Sequence, residues 1–397
     1  MRVTNTATYR NFTTGANNVH ARLIKSYNKV SSGEAYESAA DSPLSYYNSR
    51  KIDSQYQDVI TKQALIKDVQ NRIYQQELGA RDIQSILSKA KDQVIYANTD
   101  TTNDTPLLSL RDDLLQKQHE IVDALNAQYQ NFYVFGGNDI STPPFSLSGD
   151  GKTLTFTHTF PGEEKATIFE MTLGEKPVAD PNNPPEHTEY GYTLTAKSSD
   201  GSPLNGDPEE LLLKAMKEQG RIDIGYGSIR DHDTLLDTFT GGINVLTGLT
   251  SDAVRGGAGG PNDPDGKSII DYLNESPLAL IGRSVQAIDK YVETAGDTGR
   301  DRSELNHLLS ATITDMVTTE HRVSAVYSDL GNKYRLLDDT ADKLSLEKNN
   351  LTQQYTDVWG ADPYESIVEM YNSQQAYNAA LKVGTNLMSS SLFDFMS

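Results

Sequence analysis

Apolar side chains recur at every seventh position near the C-terminal end of the chain. All eight positions of this row are apolar: Leu309, Met316, Val323, Leu330, Leu337, Leu344, Leu351 and Val358. A second row is expected four residues later, starting at Ile313 and interrupted by the charged Glu320 and Lys348. This 4–3 alternation predicts a helix that buries a narrow stripe against other helices, as in a coiled coil. About 50 residues without proline, at ~1.5 Å per residue, predict a helix about 75 Å long.

A second heptad row lies near the N-terminal end of the chain. Its members are Ile52, Val59, Ile66, Ile73, Ala80, Leu87 and Val94. Two long rows of matched length predict an antiparallel pair of helices, with a shorter helix over 106–133 as a third member. We therefore predict a helical stalk formed by residues 43–138 and 268–359.

Prolines mark the starts of most helices. Proline follows a side chain that can cap a helix at Ser42-Pro43, Thr105-Pro106, Asp207-Pro208, Ser276-Pro277 and Asp362-Pro363. Proline is favoured at the first helical position, where its missing N–H has no partner to lose. The resulting prediction is six helices, over 43–98, 106–133, 208–219, 277–295, 304–359 and 363–388.

The sequences at the two ends of the chain predict amphipathic helices of low stability in isolation. The N-terminal helix, over residues 1–30, has apolar residues three and four apart at Tyr9, Phe12, Ala16, Val19, Leu23 and Val30. The C-terminal helix carries one stripe of Ile367, Met370, Leu381 and Met388, with Gln374 and Tyr377 in intermediate places. Isolated helices of this kind are marginal in water. We predict that 1–42 and 360–397 are disordered in the monomer and fold on packing with neighbours.

Residues 139–267 differ in character from the rest of the chain. Residues 153–160 alternate with a two-residue period, and Asp150-Gly151 before them is a turn signal. Further strands are expected at 166–173 and 190–196, and the glycine-rich run 256–261 is interpreted as a hinge. The predicted fold is therefore α+β and multidomain: a β-rich insert mounted on a long antiparallel helical stalk.

Composition excludes several classes of protein. The net charge of −20 and a pI near 4.7 argue against nucleic-acid binding, which needs a basic surface. No apolar run approaches the ~20 residues needed to cross a bilayer, so no membrane contact is expected. No cleavable signal peptide is visible. The absence of cysteine excludes disulfides and thiolate metal sites.

Three short segments are candidates for chemistry, and each is better explained as a turn. Residues 149–153 resemble the end of a phosphate-binding loop, but the expected first glycine is replaced by Ser146, so a hairpin turn is favoured. Residues 263–266 hint at a weak surface cation site without the ligand spacing of a calcium loop. Asp231-His232-Asp233 lacks a second histidine at metal-ligand spacing. We assign no catalytic, cofactor-binding or metal site, and expect no enzyme.

Several local motifs resemble the flagellin family of bacterial flagellar axial proteins. Asn-Phe-Tyr-Val-Phe-Gly-Gly at 131–137 is similar to the segment that ends the N-terminal helical region in the family member of the hook–filament junction. Asp-Pro-Tyr-Glu-Ser-Ile at 362–367 and Ser-Leu-Phe-Asp-Phe-Met at 391–396 are similar to its C-terminal pattern. At 41–43 the family usually has acidic residues before proline, and Ser42 departs from this. The resemblance covers about 1–138 and 270–397.

The resemblance implies a secreted structural subunit at the hook–filament junction of the extracellular flagellum. Its implied partners are a hook-associated protein, flagellin, further copies of itself in a ring, and a flagellar export chaperone. Filament flagellin itself is the alternative, and an adhesin or an enzyme within the insert is a weaker one. The expected assembly and chaperone-binding residues are Phe12, Val19, Leu23, Ile367, Met370, Tyr371, Tyr377, Leu381 and Leu387.

Because both heptad rows lie within 43–358, this fragment should fold without the chain ends. We expect it to be a monomer with strong helical circular dichroism, measured together with its mass by sedimentation. Aggregation or a random-coil spectrum would refute the predicted boundaries.

Overall fold

The fold is α+β and multidomain, as predicted. The computed structural model describes residues 2–99, 104–137, 139, 141–176, 189–202, 204, 206–217, 220–223, 235–237, 240–293 and 302–396. The helices are α1 (Arg2–Ser32), α2 (Pro43–Ala97), α3 (Asp104–Leu125), α4 (Pro208–Lys217), α5 (Gly242–Thr247), α6 (Ser251–Arg255), α7 (Ile269–Asn274), α8 (Pro277–Glu293), α9 (Arg302–Trp359) and α10 (Pro363–Met396). The strands are β1 (Gln128–Tyr129), β2 (Phe132–Tyr133), β3 (Phe145–Leu147), β4 (Thr153–His158), β5 (Thr167–Glu175), β6 (Tyr190–Ser198), β7 (Arg221–Asp223) and β8 (Leu235–Asp237).

The chain divides into two compact units. One contains Met1–Leu65 and Ala341–Ser397, and the other contains Ile66–Thr340. The chain passes from one unit to the other inside α2 and again inside α9. The predicted domains, with boundaries near residues 42, 138, 267 and 359, are a different division and remain a prediction.

In the second unit, α2 and α9 run antiparallel, as predicted. The Asn98 amide lies 3.0 Å from the Ser310 hydroxyl, and the Tyr74 and Tyr334 rings lie 6.1 Å apart. Earlier positions on α2 therefore lie beside later positions on α9. On α2 the buried positions alternate by three and four: Ile66, Val69, Ile73, Gln76, Ala80, Ile83, Leu87, Ala90, Val94 and Ala97. This is the pattern of a coiled-coil seam.

In the second unit, the second buried row of α9 differs from the predicted one. It lies three residues after the first row, at Thr312, Thr319, Val326 and Thr340, and not four residues after it at Ile313 and Glu320. Threonine is tolerated there because its hydroxyl finds a backbone acceptor within the protein. Thr312 donates to the Leu308 carbonyl at 2.8 Å, and Thr340 donates to the Leu336 carbonyl at 2.7 Å.

The two charged residues predicted to interrupt this row both have partners. Glu320, which lies beside the seam of the second unit, forms an ion pair with Lys91 of α2 at 2.6 Å, with both side chains less than one-fifth exposed. Lys348 lies over the Tyr56 ring, 5.9 Å from its centre. Glu320 therefore does not interrupt the buried stripe, and the charge of Lys348 is accommodated by an aromatic ring.

The third helix also ends earlier than predicted. It stops at Leu125, and residues 126–133, expected to be helical, form the β1–β2 hairpin. Gln130 and Asn131 at its tip both have left-handed backbone, with φ of 51° and 67°. A two-residue loop with positive φ at both positions matches the right-handed twist of the strands, and asparagine favours that conformation.

The insert contains a four-stranded antiparallel sheet in the order β3-β4-β5-β6. The expected strands within 153–196 are confirmed, as is the hairpin turn at 149–153, where Gly151 adopts a φ of 70°. Phe156 pairs with Phe169 on neighbouring strands, and their stacked rings lie 5.7 Å apart on the buried face. Short helices α5 and α6 in the insert, and α7 directly after it, were not expected from the sequence.

Substitution of the buried Gln76 tests whether its amide stabilises the packing around α2. It is 0% exposed, donates to the Val134 carbonyl, and exchanges bonds with both backbone groups of Thr240. We expect Gln76→Ala to lower the free energy of unfolding by about 1–3 kcal/mol, because buried backbone groups lose their partners. Gln70→Ala, which removes a more exposed bond to Asp338, should cost less than about 0.5 kcal/mol. Urea unfolding followed by circular dichroism measures both, and equal losses would contradict the assignment.

Candidate assembly surface

The two terminal helices pack against each other in antiparallel fashion. The Phe12 ring of α1 lies against Gly384 of α10, so closely that a Cβ added at Gly384 would be 2.6 Å from Phe12 Cζ. At the other end of the pair, Lys29 Nζ lies 3.0 Å from a Glu369 carboxylate oxygen. The start of α1 therefore meets the later part of α10, and the end of α1 meets its beginning.

A narrow seam joins these two helices. The least exposed residues of α1 are Phe12, Ala16, Val19, Leu23, Ser26 and Val30, and those of α10 are Ser366, Met370, Ser373, Tyr377, Ala380 and Gly384. Both sets alternate by three and four, the spacing of a coiled-coil seam. Half of them are serine, alanine or glycine, so the helices approach closely and bury little apolar surface. Most of these seam residues remain partly exposed.

The predicted terminal residues divide between this seam and the surface. Phe12, Val19, Leu23, Met370 and Tyr377 lie in the seam. The predicted stripe through Ile367 and Leu381 is displaced by one residue from the buried one, and Tyr371 is also outside it. Leu387 lies outside the residues whose side chains are described. The assembly role of all nine remains a prediction.

An apolar flank runs along one side of the seam. We define it as Ile24, Tyr27, Ile367, Tyr371 and Leu381, which are 42–63% exposed. Each of them directly follows a seam residue in the sequence. In an antiparallel pair, the positions that follow seam residues on both helices lie on the same side. Large apolar side chains are therefore gathered on one exposed side of the pair, and Ile24 and Tyr27 are members that the sequence analysis missed.

The other side of the seam is charged. Arg22, Lys25, Lys29, Glu365 and Glu369 each directly precede a seam residue, which places them opposite the apolar flank. They line a groove of about 720 Å³. We call this side the charged flank.

Lys25 of the charged flank is held by the loop that follows α1. Its Nζ lies 2.5 Å from Asp41 Oδ1, and this hydrogen bond raises the pKa of Lys25 and lowers the pKa of Asp41. The second Asp41 oxygen accepts the backbone N–H groups of Glu37 and Ser38. Asp41 therefore closes the loop and ties it to α1.

The segments that connect α1 to α2 and α9 to α10 are hydrogen-bonded to each other. Ala35 N donates to the Trp359 carbonyl at 2.8 Å, and Ala361 N donates to the Gly33 carbonyl at 2.9 Å. We call residues 33–36 and 359–361 the Trp359 bridge. The Trp359 side chain is 6% exposed, with the rings of Tyr36 and Tyr46 at 5.4 and 5.9 Å. The two terminal helices therefore leave from one shared attachment point.

The predicted stalk residues are almost all buried. Thirteen of the fourteen are at most 8% exposed, and only Val358 is half-buried. The buried ones are Ile52, Val59, Ile66, Ile73, Leu87, Val94, Leu309, Met316, Val323, Leu330, Leu337, Leu344 and Leu351. Their role in stalk packing remains a prediction.

The segments considered for chemistry have structural roles or lie outside the described residues. Asp263 accepts the backbone N–H groups of Gly259 and Asp265 at 2.6 and 2.7 Å, which folds the glycine-rich segment into turns. The segment 231–233 lies outside the described residues. In the described part of the chain, no three His, Asp or Glu side chains group as metal ligands would. Nor does any helix there have the length and apolarity to cross a membrane.

Comparison with known proteins confirms the resemblance to flagellins. The family model for the bacterial flagellin N-terminal helical region matches residues 3–139, about a third of the chain. Those residues, which include α1, α2 and α3, are similar to the N-terminal helical region of bacterial flagellins. No curated protein matches the chain.

Solved structures that the chain resembles include flagellar hook-associated proteins. A putative hook-associated protein from Vibrio parahaemolyticus is 13% identical, with 81% of this chain and 100% of that one covered and a TM-score of 0.47. Hook associated protein-3 from Legionella pneumophila is 10% identical, with 78% of this chain and 98% of that one covered and a TM-score of 0.43. FlgL from Bacillus cereus is 13% identical, with 79% of this chain and 100% of that one covered and a TM-score of 0.35.

Trp359 is the sole tryptophan of the chain, so its fluorescence reports the state of the Trp359 bridge. We expect Tyr36→Ala to shift the emission to longer wavelengths and increase quenching by acrylamide, because it removes one wall around the indole. Tyr27→Ala removes a 63% exposed ring of α1 and should leave both unchanged. An unchanged spectrum for Tyr36→Ala would mean that Tyr36 does not shield the indole in solution.

Proposed function

We propose that this protein is a structural subunit of the bacterial flagellum that joins a hook-associated protein on the hook side to the flagellin filament. In this proposal the terminal helices pack with those of axial neighbours, and further copies of the chain complete a ring. The protein is exported to the extracellular flagellum, with an export chaperone on its C-terminal helix. Its work is mechanical and requires no catalysis.

The observation that carries the proposal is the apolar flank beside the narrow seam. Its side chains retain 42–63% exposure although the two helices are already paired. Burying apolar surface contributes roughly 25 cal/mol per Å², and a contiguous exposed patch of large apolar residues marks an interaction site. A neighbouring helix over this flank would supply the burial that the small seam residues do not.

The flagellin match supports placing this surface in an axial assembly. It covers α1, which supplies Ile24 and Tyr27 of the apolar flank, together with the first stalk helix. The second candidate, filament flagellin itself, is favoured by the same match. The motif at 131–137 and the Leu392-Phe393 tail favour the junction subunit. A binding module within the insert is the weaker alternative, and retention of a ligand by isolated 139–267 would support it.

Leu381→Asp tests the apolar flank directly. Leu381 is 48% exposed in the chain alone, so the monomer should keep its circular dichroism spectrum and melting temperature. In assembly the new carboxylate would be buried at a cost of several kcal/mol. We expect incorporation into flagella, counted by immunoelectron microscopy in a deletion strain, to fall at least about tenfold. Swimming should be lost with it.

Val383→Asp is the matched control. Val383 is also on α10 and is 52% exposed, but it precedes the seam residue Gly384 and lies on the charged side, beyond the groove. It should incorporate and swim close to wild type. Normal assembly of Leu381→Asp, or equal loss in both variants, would show that the apolar flank is not the assembly surface.

A further inference from the structure

Two buried polar residues of the α2–α9 seam form hydrogen bonds with segments outside both helices. Gln76 of α2 is 0% exposed, and its amide donates to the carbonyls of Val134 and Thr240 and accepts from the Thr240 N–H. Thr319 of α9 is 1% exposed, and its hydroxyl donates to the Glu275 carbonyl at 2.6 Å. Each long helix is therefore attached through its buried face to another part of the chain.

Thr319 differs in this respect from two other threonines of the same row. Thr312 and Thr340 donate to carbonyls one turn earlier in α9 itself, so any alignment of α9 against α2 leaves them satisfied. The partners of Thr319 and Gln76 are fixed in place outside the two helices. A buried polar residue with such a partner specifies the register of a coiled coil.

Helix α5 connects the two places where these bonds are made. Thr240 lies just before it, and the N–H of its first residue, Gly242, donates to the Phe135 carbonyl at 2.9 Å. Gly248 ends the helix with a φ of 73°, and a Cβ added there would lie 2.5 Å from Cβ of Arg322 on α9. All six residues of α5 are buried. We call residues 240–248 the α5 brace.

The α5 brace is held closely at both ends. On the α2 side, the Phe135 ring packs so tightly on the helix that a Cβ added at Gly79 would lie 2.7 Å from it. On the α9 side, Arg322 donates to the side chain and the carbonyl of Glu275 at 2.7 and 2.9 Å. Glu275 directly follows α7, which packs against α5. The brace therefore contacts one long helix at each end.

The apolar rows of α2 and α9 do not select one alignment by themselves. Both rows repeat every seven residues, so sliding one helix by seven residues, about 10 Å, places apolar row against apolar row again. The Lys91–Glu320 ion pair favours the observed alignment from the edge of the seam. The α5 brace acts on residues inside the seam.

We propose that the α5 brace fixes the alignment of α2 against α9 and prevents the two helices from sliding past each other. A slide would separate Gln76 or Thr319 from its partner and leave buried polar groups unpaired, which is costly. The brace is a conformational device within a single chain and does not depend on the proposed function.

A distance between spin labels on the two helices measures the alignment. The chain has no cysteine, so Lys89→Cys on α2 and Ser328→Cys on α9 provide the only labelling sites. Both positions are exposed, and they lie at different levels of the helix pair, so a slide changes their separation. In the labelled full-length chain, Gln76→Leu with Thr319→Val removes both polar contacts and keeps the seam apolar.

We expect double electron–electron resonance to give one narrow distance for the labelled parent. The Gln76→Leu and Thr319→Val variant should add a second population, displaced by at least about 4 Å, as a seven-residue slide requires. Thr312→Val with Thr340→Val is the matched control, because it removes two hydroxyls from the same row whose partners lie within α9. It should keep the parent distance.

Gly248→Ala tests the α5 brace without changing the seam. Alanine is strained at this φ and would collide with Arg322, so the end of α5 should be displaced from α9. We expect amide hydrogen exchange within 243–247 to accelerate at least about tenfold, with the second label distance appearing as well. Gly331→Ala, on α9 where the nearest atom would be 3.9 Å away, should change neither measurement.

Two outcomes would overturn this inference. One is a single parent distance in both the Gln76→Leu and Thr319→Val variant and Gly248→Ala. The other is an equal second population in the Thr312→Val and Thr340→Val control. Circular dichroism checks that each variant keeps its helices, and Thr319→Val alone replaces the double variant if that one unfolds. Flagellar incorporation of Leu381→Asp is a separate measurement, so failure of the brace and failure of the proposed function are distinguishable.

Discussion

The close approach of α1 and α10 is the constraint on which the terminal part of the molecule depends. Serine, alanine and glycine at half of the seam positions let the backbones come together, and Phe12 rests on Gly384 where no Cβ would fit. Small side chains remove little apolar surface from water. The larger ones, such as Tyr27 and Tyr371, are displaced to the outside. The same feature that pairs the helices therefore leaves large apolar side chains exposed.

The α2–α9 pairing in the second unit is built in the opposite way. Its seam contains large aliphatic residues with almost no exposure, including Ile73, Leu87 and Leu309. Its polar seam residues are satisfied internally, as Gln76 is by backbone groups of residues 134 and 240. Charges at its edge are paired, as between Lys91 and Glu320. This packing buries its large apolar side chains within the chain, whereas the terminal pair leaves most of its own exposed.

The sequence predicted the parts of the fold that depend on period and capping. Seven-residue repeats and proline starts identified the long helices and most of their bounds. The phase of the second row on α9 could not be read in this way, because Thr312 and Thr340 become acceptable inside only through bonds to carbonyls one turn earlier. The early end of α3 depends on two non-glycine residues with positive φ, for which the sequence offered only Asn131 as a signal.

The candidate surface was predicted only in part, for a related reason. The hydrophobic pattern identifies Leu381 and Ile367, but it gives almost no indication of a seam made of small residues. The stripe was therefore assigned one residue away from Ser366 and Ala380. Once the seam is located, the exposed positions beside it can be assigned to its two sides: the five residues of the apolar flank follow seam residues, and the charged residues of the groove precede them.

This division gives the terminal pair two surfaces of different physical character. Apolar burial on one flank is not screened by salt, whereas attraction to the charged flank is screened at separations beyond about 10 Å. The Trp359 bridge joins both helices at one attachment point, through the Ala35 and Ala361 hydrogen bonds. Packing that holds α10 in place therefore also favours the position of α1. Since coupling of this kind is reciprocal, packing that holds α1 in turn favours the position of α10.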